Sequence, residues 1–157
     1  MTIKAVPATA ENFKPFGRYF KIKQGDGRTG TGDWHAWMSP EPLIDDVANF
    51  GITEVGGMPL VVDTMESHPR TQEGLIPGNA PMVLAVADTD PSAKGANPQD
   101  IRAFILSPGE AAVIDRGIWH DACRCAGDGR CYYYFIAHSL DPAVFIDVDG
   151  EPVTVEL

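Results

Sequence analysis

Apolar and polar positions alternate along most of this chain in short runs, the period of a strand with one covered face. Such runs predict strands at residues 3–6, 18–23, 34–38, 51–55, 60–65, 82–87, 101–106, 111–114, 130–138, 144–148 and 153–157. Glycine and proline turns separate them, as in all-β sandwiches and barrels. A helical pattern is expected at two places only. Thr9 can cap a short helix over residues 10–16 that Gly17 closes, and residues 41–49 offer a second. Residues 24–33 and 88–100, rich in glycine and in Asp-Pro, Lys-Gly and Asn-Pro breakers, read as surface loops. No internal repeat or linker divides the chain, so residues 1–157 are expected to form a single domain.

Composition narrows the function classes. The chain carries 22 acidic against 12 basic residues, a net charge of −10, and the basic residues are scattered. Nucleic acid and anionic membranes are therefore not expected as partners. An anionic substrate must be held by local arginines working against the global field. The first residues lack the apolar core of a signal peptide, and no run approaches the roughly 20 apolar residues that span a bilayer. A cytoplasmic protein is the expectation. Cys123, Cys125 and Cys131 are an odd number, which argues against a secreted disulfide framework and for reduced thiols. Cys125 and Cys131 flank a glycine-rich tip and are expected to face each other across a hairpin.

Two stretches carry the chemistry. In the first, Gly109 to His120 (GEAAVIDRGIWH), a glycine opens a strand, Asp115-Arg116-Gly117 turns the chain, and His120 begins the next strand. The second, ESHPRTQEGLIPG, puts Glu66 and His68 two residues apart, hence on one face of a strand, with Glu73 five residues later. Gln72 competes with Glu73 for the inward place, because a shift of one residue swaps the faces. A buried imidazole can ligate a divalent metal or move protons near neutral pH. The set Glu66, His68, Glu73 and His120 has metal-ligand spacing, and its oxygen and nitrogen donors suit Mn, Ni, Fe or Zn rather than Ca. The same four residues can equally form a metal-free proton-relay pocket. No organic cofactor is implied. His35, between Trp34 and Trp37, and His138, at the end of an apolar run, read as structural. Tyr132 and Tyr134 share one face, so either that pair or Tyr133 points inward.

The spacing from Gly109 to His120 resembles the second motif of the cupin barrels, which implies an all-β, antiparallel barrel with one or two short helices and His120 facing its interior. At a finer level, Glu66-Ser67-His68-Pro69 through Pro77, followed by Arg102-Ala103-Phe104 and Trp119-His120, resembles the ureidoglycolate lyase family. That resemblance implies a dimeric enzyme that splits ureidoglycolate into glyoxylate and urea. Such a reaction needs a base for the carbinol proton and an acid for the departing nitrogen. His68, Glu73 and His120, with Gln72 beside them, are the candidates. A cation must hold the substrate carboxylate, and Arg102 or Arg116 is expected there, with Arg70 behind them and Trp119 lining the pocket. The chain departs from the family pattern at Asp121, where a second histidine is usual, and at Ile114, where a tyrosine is common. Two other readings compete: a metal-dependent cupin isomerase or dioxygenase on another small polar metabolite, and a cupin that binds a ligand without turning it over.

Overall fold

The computed structural model describes residues 1–29, 32–138 and 142–157; residues 30 and 31 of the expected loop at 24–33 lie outside the described residues. The described residues are all β, in a jelly-roll-like arrangement of stacked sheets. An eight-stranded sheet lies in the middle, ordered Gly95–Ala96, Val144–Val148, Thr64–Ser67, Trp119–His120, Met82–Ala87, Ile101–Leu106 and Val6–Pro7, with Arg124–Cys125 also paired to Met82–Ala87. On one side of it lies a five-stranded sheet, ordered Gly17–Lys21, Glu110–Ile114, Glu73–Pro77, Cys131–Ala137 and Asn49–Val55. On the other side Thr2–Lys4, Val153–Glu156 and Leu60–Val62 form a three-stranded sheet. Continuous hydrogen bonding does not close these sheets into a barrel among the described strands.

Met82–Ala87 shows why the stack holds together. All six of its residues are buried, because both of its faces are covered. Met82, Leu84 and Val86 enter the apolar cluster that also holds Val55, Leu75 and Ile114 of the five-stranded sheet. Val83, Ala85 and Ala87 enter the cluster that holds Leu60, Val62, Val153 and Val155 of the three-stranded sheet. The period of two thus feeds two cores from one strand.

The expected run at 60–65 divides at Asp63. Leu60–Val62 joins the three-stranded sheet and Thr64–Ser67 the eight-stranded one. Asp63 holds the crossing, its carbonyl accepting from Val148 N–H at 2.8 Å. The run at 34–38 shortens to His35–Ala36, which pairs with Arg28–Thr29 as a hairpin.

Neither expected helix forms. At Thr9 the cap is present, since Thr9 and Asn12 exchange side-chain hydrogen bonds with each other's N–H groups at 2.8 and 3.1 Å. A turn follows but no helix, because Pro15 supplies no N–H and disfavours helical geometry at Lys14. The turn serves to bury Phe13 and Phe16, whose rings meet Phe104 at 5.2 and 5.6 Å. Residues 41–48 bend irregularly before Asn49–Val55 begins. There Arg18 takes the carbonyls of Pro42 and Leu43 at 3.4 and 2.7 Å, leaving them unavailable to a helix, and pairs with Glu41 at 2.8 Å.

Candidate active site

Strand register assembles the site. Gly109 and Gly117 both adopt positive φ, +92° and +81°, a region open mainly to glycine. Ile118 N–H reaches back to the Asp115 carbonyl at 3.2 Å and closes the turn, which delivers Trp119–His120 into the eight-stranded sheet. His120 pairs with Glu66 on one side and with Val86 on the other, while Val86 also pairs with Arg102. Register partners share a face, so Glu66, His120 and Val86 line the space between the eight- and five-stranded sheets. From the facing sheet, Glu73 shares a face with Leu75 of that same core.

The four side chains meet. The rings of His68 and His120 lie 5.3 Å apart, centroid to centroid. His120 Nε2 is 2.9 Å from Glu73 Oε2 and 3.6 Å from Glu66 Oε1, and His68 Nε2 is 3.7 Å from Glu73 Oε2. His120 is buried, whereas Glu66, His68 and Glu73 keep 31%, 18% and 14% of their side chains exposed, so a small molecule meets those three before His120. Gln72 faces away: its amide donates to Asp115 Oδ1 at 2.8 Å. The choice between Gln72 and Glu73 therefore falls to Glu73.

Electrostatics bind the cluster together. Burial opposes charge on His120, but Glu73 and then Glu66 outweigh it and hold the imidazole pKa above its ordinary value. Burial likewise opposes charge on Glu73, and His120 and then His68 reverse the balance, keeping its carboxyl below the usual range. His120 Nδ1 lies 3.3 Å from the Ile118 carbonyl. Nε2, although close to Glu73, is too poorly aligned to make a hydrogen bond and is left unsatisfied in the interior. In a neutral ring whose Nδ1–H points at Ile118, Nε2 turns a lone pair toward a carboxylate oxygen. Two lone pairs at that distance repel, so a proton or a cation belongs between them.

That orphaned nitrogen is also where the residues fit a divalent metal. One donor atom each from Glu66, His68 and His120 falls within 4.8 Å of the others. Ligands on one ion with bonds near 2.1 Å stand about 3–4.2 Å apart, so a small inward shift of these side chains would meet what a single ion requires. The contact of Nδ1 with a backbone carbonyl is the outer partner that orients a ligating histidine.

Three further side chains border the cluster. Tyr133, not the pair Tyr132 and Tyr134, points inward and is buried. Its hydroxyl pKa is pushed up by burial and by the fields of Cys123, Glu73 and Glu66. Cys123 is fully buried, with its thiol pushed well up by the same burial and by Glu73. Asp121 has its carboxyl raised by burial, with Asp63 and Glu66 adding to the effect against Arg124. The alternation of Cys131–Ala137 left Tyr133 as one of two options in the sequence, whereas nothing in the sequence singled out Cys123. Cys125 and Cys131 do face each other as free thiols, linked by a hydrogen bond.

Other candidates lie elsewhere. Trp119 points to the opposite face of its strand, into the second core, and donates to the Thr89 carbonyl at 3.1 Å. It packs the interior and lines no substrate pocket. Arg116 is tied to Asp45 through two hydrogen bonds and to the Arg70 carbonyl at 2.9 Å. Arg102 occupies the row of His120 and Val86, two strands and about 10 Å from His120 at ordinary strand spacing. Its guanidinium curls out to the carbonyls of Gln99 and Ile101, at 2.7 and 2.9 Å. Neither arginine points at the cluster, because backbone carbonyls and Asp45 offer each one nearer partners. Among the described residues no helix is long and apolar enough to cross a membrane.

Comparison with known proteins points to one family. A family model described as ureidoglycolate lyase matches residues 1–149. Curated ureidoglycolate lyases of Pseudomonas paraeruginosa and Stutzerimonas stutzeri are each 30% identical to this chain over 132 residues, covering 76% of it and 73% of theirs. One of Chelativorans is 26% identical over 136 residues, covering 80% of this chain and 79% of its own. Among solved structures, oxalate decarboxylases of Bacillus subtilis and Lactobacillus farciminis match with TM-scores of 0.45 and 0.46 at 15% and 16% identity. Those matches cover 64% and 62% of this chain but only 23% and 26% of the longer decarboxylases.

Proposed function

This chain belongs to the ureidoglycolate lyase family, and from that premise we propose that Glu66, His68, Glu73 and His120 form its catalytic centre. The reaction is cleavage of the carbon–nitrogen bond of ureidoglycolate, or of a closely related small hydroxy or ureido acid. The products are an oxo acid and urea or an amine. One observation carries the reading: a buried His120 sits against Glu73, with the partly exposed His68 beside them.

Lyase chemistry moves one proton off the carbinol oxygen and one onto the leaving nitrogen. Glu73, kept ionised by His120 and His68, is the base for the hydroxyl. As that proton leaves, the oxygen electrons form the carbonyl and the carbon–nitrogen pair departs with the nitrogen, which takes a proton from His68. Passage of the proton from Glu73 back to His68, 3.7 Å away, resets the site. His120 does not need to touch substrate; it holds Glu73 charged and in place.

As an alternative to that proton relay, the lone pairs of Glu66, His68 and His120, with Glu73 at their side, would hold a divalent metal such as Mn, Ni, Fe or Zn. Bound there, it would supply Lewis acidity toward the substrate hydroxyl and carboxylate. Arg102 and Arg116 are both engaged away from the cluster, and this favours such a cation as the partner for a substrate anion. A cytoplasmic homodimer completes the proposal, and the exposed apolar side chains of Phe50, Ile52 and Phe145 are surface that a partner subunit can cover.

The test is direct. Purified protein, assayed with and without added divalent metal, should convert ureidoglycolate to glyoxylate and urea in equal amounts. No turnover under any metal condition would overturn the assignment.

A further inference from the structure

We propose that the protein carries a second ligand site, separate from the histidine and glutamate cluster, for a small amphipathic anion with a carboxylate-like head on an apolar body. The site is a cavity of about 700 Å³ between the outer strand Gly17–Lys21 and the hairpin of Arg28–Thr29 and His35–Ala36. That size lies within the roughly 300–1,000 Å³ of small-molecule pockets. It shares no residue with the cluster, and its strand is the edge of the five-stranded sheet, two strands from Glu73–Pro77.

Charge is the first argument. Lys21 and Arg28 line the cavity, no aspartate or glutamate does, and Lys23 holds its ammonium 5.2 Å from the Trp37 ring centroid at the rim. Among the described residues none of these three cations has an ion-pair partner, whereas Arg18 and Arg116 elsewhere are paired with Glu41 and Asp45. Glu110 lies opposite Lys21 in register. Its carboxylate, however, is engaged by Ser107 N–H at 2.8 Å and by the Tyr19 hydroxyl. In a chain with net charge −10, three unpaired cations around one hollow make a local positive field against the global one.

The walls are the second argument. Phe20, Ile22, Ala36 and Met38 present apolar surface to the same space, and Met38 is 72% exposed, a cost that an apolar ligand body would relieve. Trp37 is held firmly rather than left to swing. Its Nε1–H donates to the Gly25 carbonyl at 3.1 Å, and the His35 ring stacks on it at 5.9 Å. Gly27, at φ +69°, admits the indole so closely that a Cβ there would fall 2.8 Å from it. Cations and a braced apolar wall around one space select for charge and hydrocarbon in one small molecule.

Calorimetric titration with 2-naphthoate and with neutral 2-naphthamide at low ionic strength tests this. Naphthoate should bind saturably at one site, at least tenfold more tightly than the amide. Added salt should weaken it, and so should Lys21→Gln/Arg28→Gln, tenfold or more. Arg28→Gln alone, at an exposed position, serves if the double variant melts early. His120→Asn should leave the affinity unchanged, which keeps the outcome independent of the lyase assignment. Equal binding of acid and amide, binding indifferent to the charge variants, or binding lost in His120→Asn would each overturn the proposal.

Discussion

Between the eight- and three-stranded sheets, aliphatic side chains pack around the Trp119 indole; between the eight- and five-stranded sheets, a similar apolar cluster surrounds two histidines and two glutamates. The two spaces are made by opposite faces of the same strands, and Trp119 and His120 are neighbours in sequence that look into different ones. What separates them chemically is access and partners. On the Trp119 side the indole N–H is met by the Thr89 carbonyl. The His120 side has several polar demands that the protein meets only among themselves, His120 Nε2 resting against the Glu73 carboxylate at 2.9 Å. A fold of stacked sheets can thus reserve one interlayer space for stability and spend the other on chemistry.

The largest effect that would sharpen this contrast is on stability. Trp119→Ala should cost about 3–5 kcal/mol, as large-to-small changes in a packed core do, measured by denaturant unfolding, while turnover per folded molecule is retained. A stable variant without turnover would instead return the indole to the substrate pocket. On the other face the signs invert. Glu73→Gln should lower kcat by about 10²–10⁴ with little loss of stability. Adding His120→Asn to it should cost little more, since residues acting as a unit are not additive. If the two losses multiply, Glu73 and His120 work separately.

A smaller effect is in pH. The folded pKa of His120 is raised, so its contribution to stability is whole below the unfolded value of about 6.5 and fades as pH climbs through the folded one. Glu73 is depressed, so its contribution is whole above about 4.3 and fades as pH falls through the folded value. In chelator-treated protein, the melting temperatures of wild type and Glu73→Gln should therefore differ most between about pH 4.5 and 6.5. A difference constant across that range would remove the ion pair from the account. The smallest effects belong to Arg102→Lys and Arg116→Lys. With both guanidinia engaged away from the cluster, the Michaelis constant should stay within about twofold. A severalfold rise in either would mean that the arginine swings in to grip substrate.

Much of this contrast was legible beforehand. The strands were readable because covered faces impose a period of two. Glu66, His68 and His120 were readable because their spacing survives any packing consistent with that period. The choice between Gln72 and Glu73 was not, since it depends on where Glu73–Pro77 begins, and pairing with Glu110–Ile114 decides that. The direction of the two arginines was not legible for another reason: long side chains settle on the nearest carbonyl or carboxylate, and Gln99, Ile101 and Asp45 become neighbours only after folding. Both expected helices failed through partners outside their own segments or through Pro15. Trp119 followed from its neighbour's orientation, once alternation was carried one residue further.

Trp119–His120 is a strand of only two residues, clasped between Thr64–Ser67 and Met82–Ala87. Sliding it by one position would push an imidazole into oil and an indole among carboxylates, so a misaligned chain has no comfortable resting place. Assembly therefore proofreads the proposed centre: a molecule that has closed its interior has, by the same act, set its histidine in place. In practice, the amplitude of a cooperative melt would then count competent sites, without any substrate in the tube.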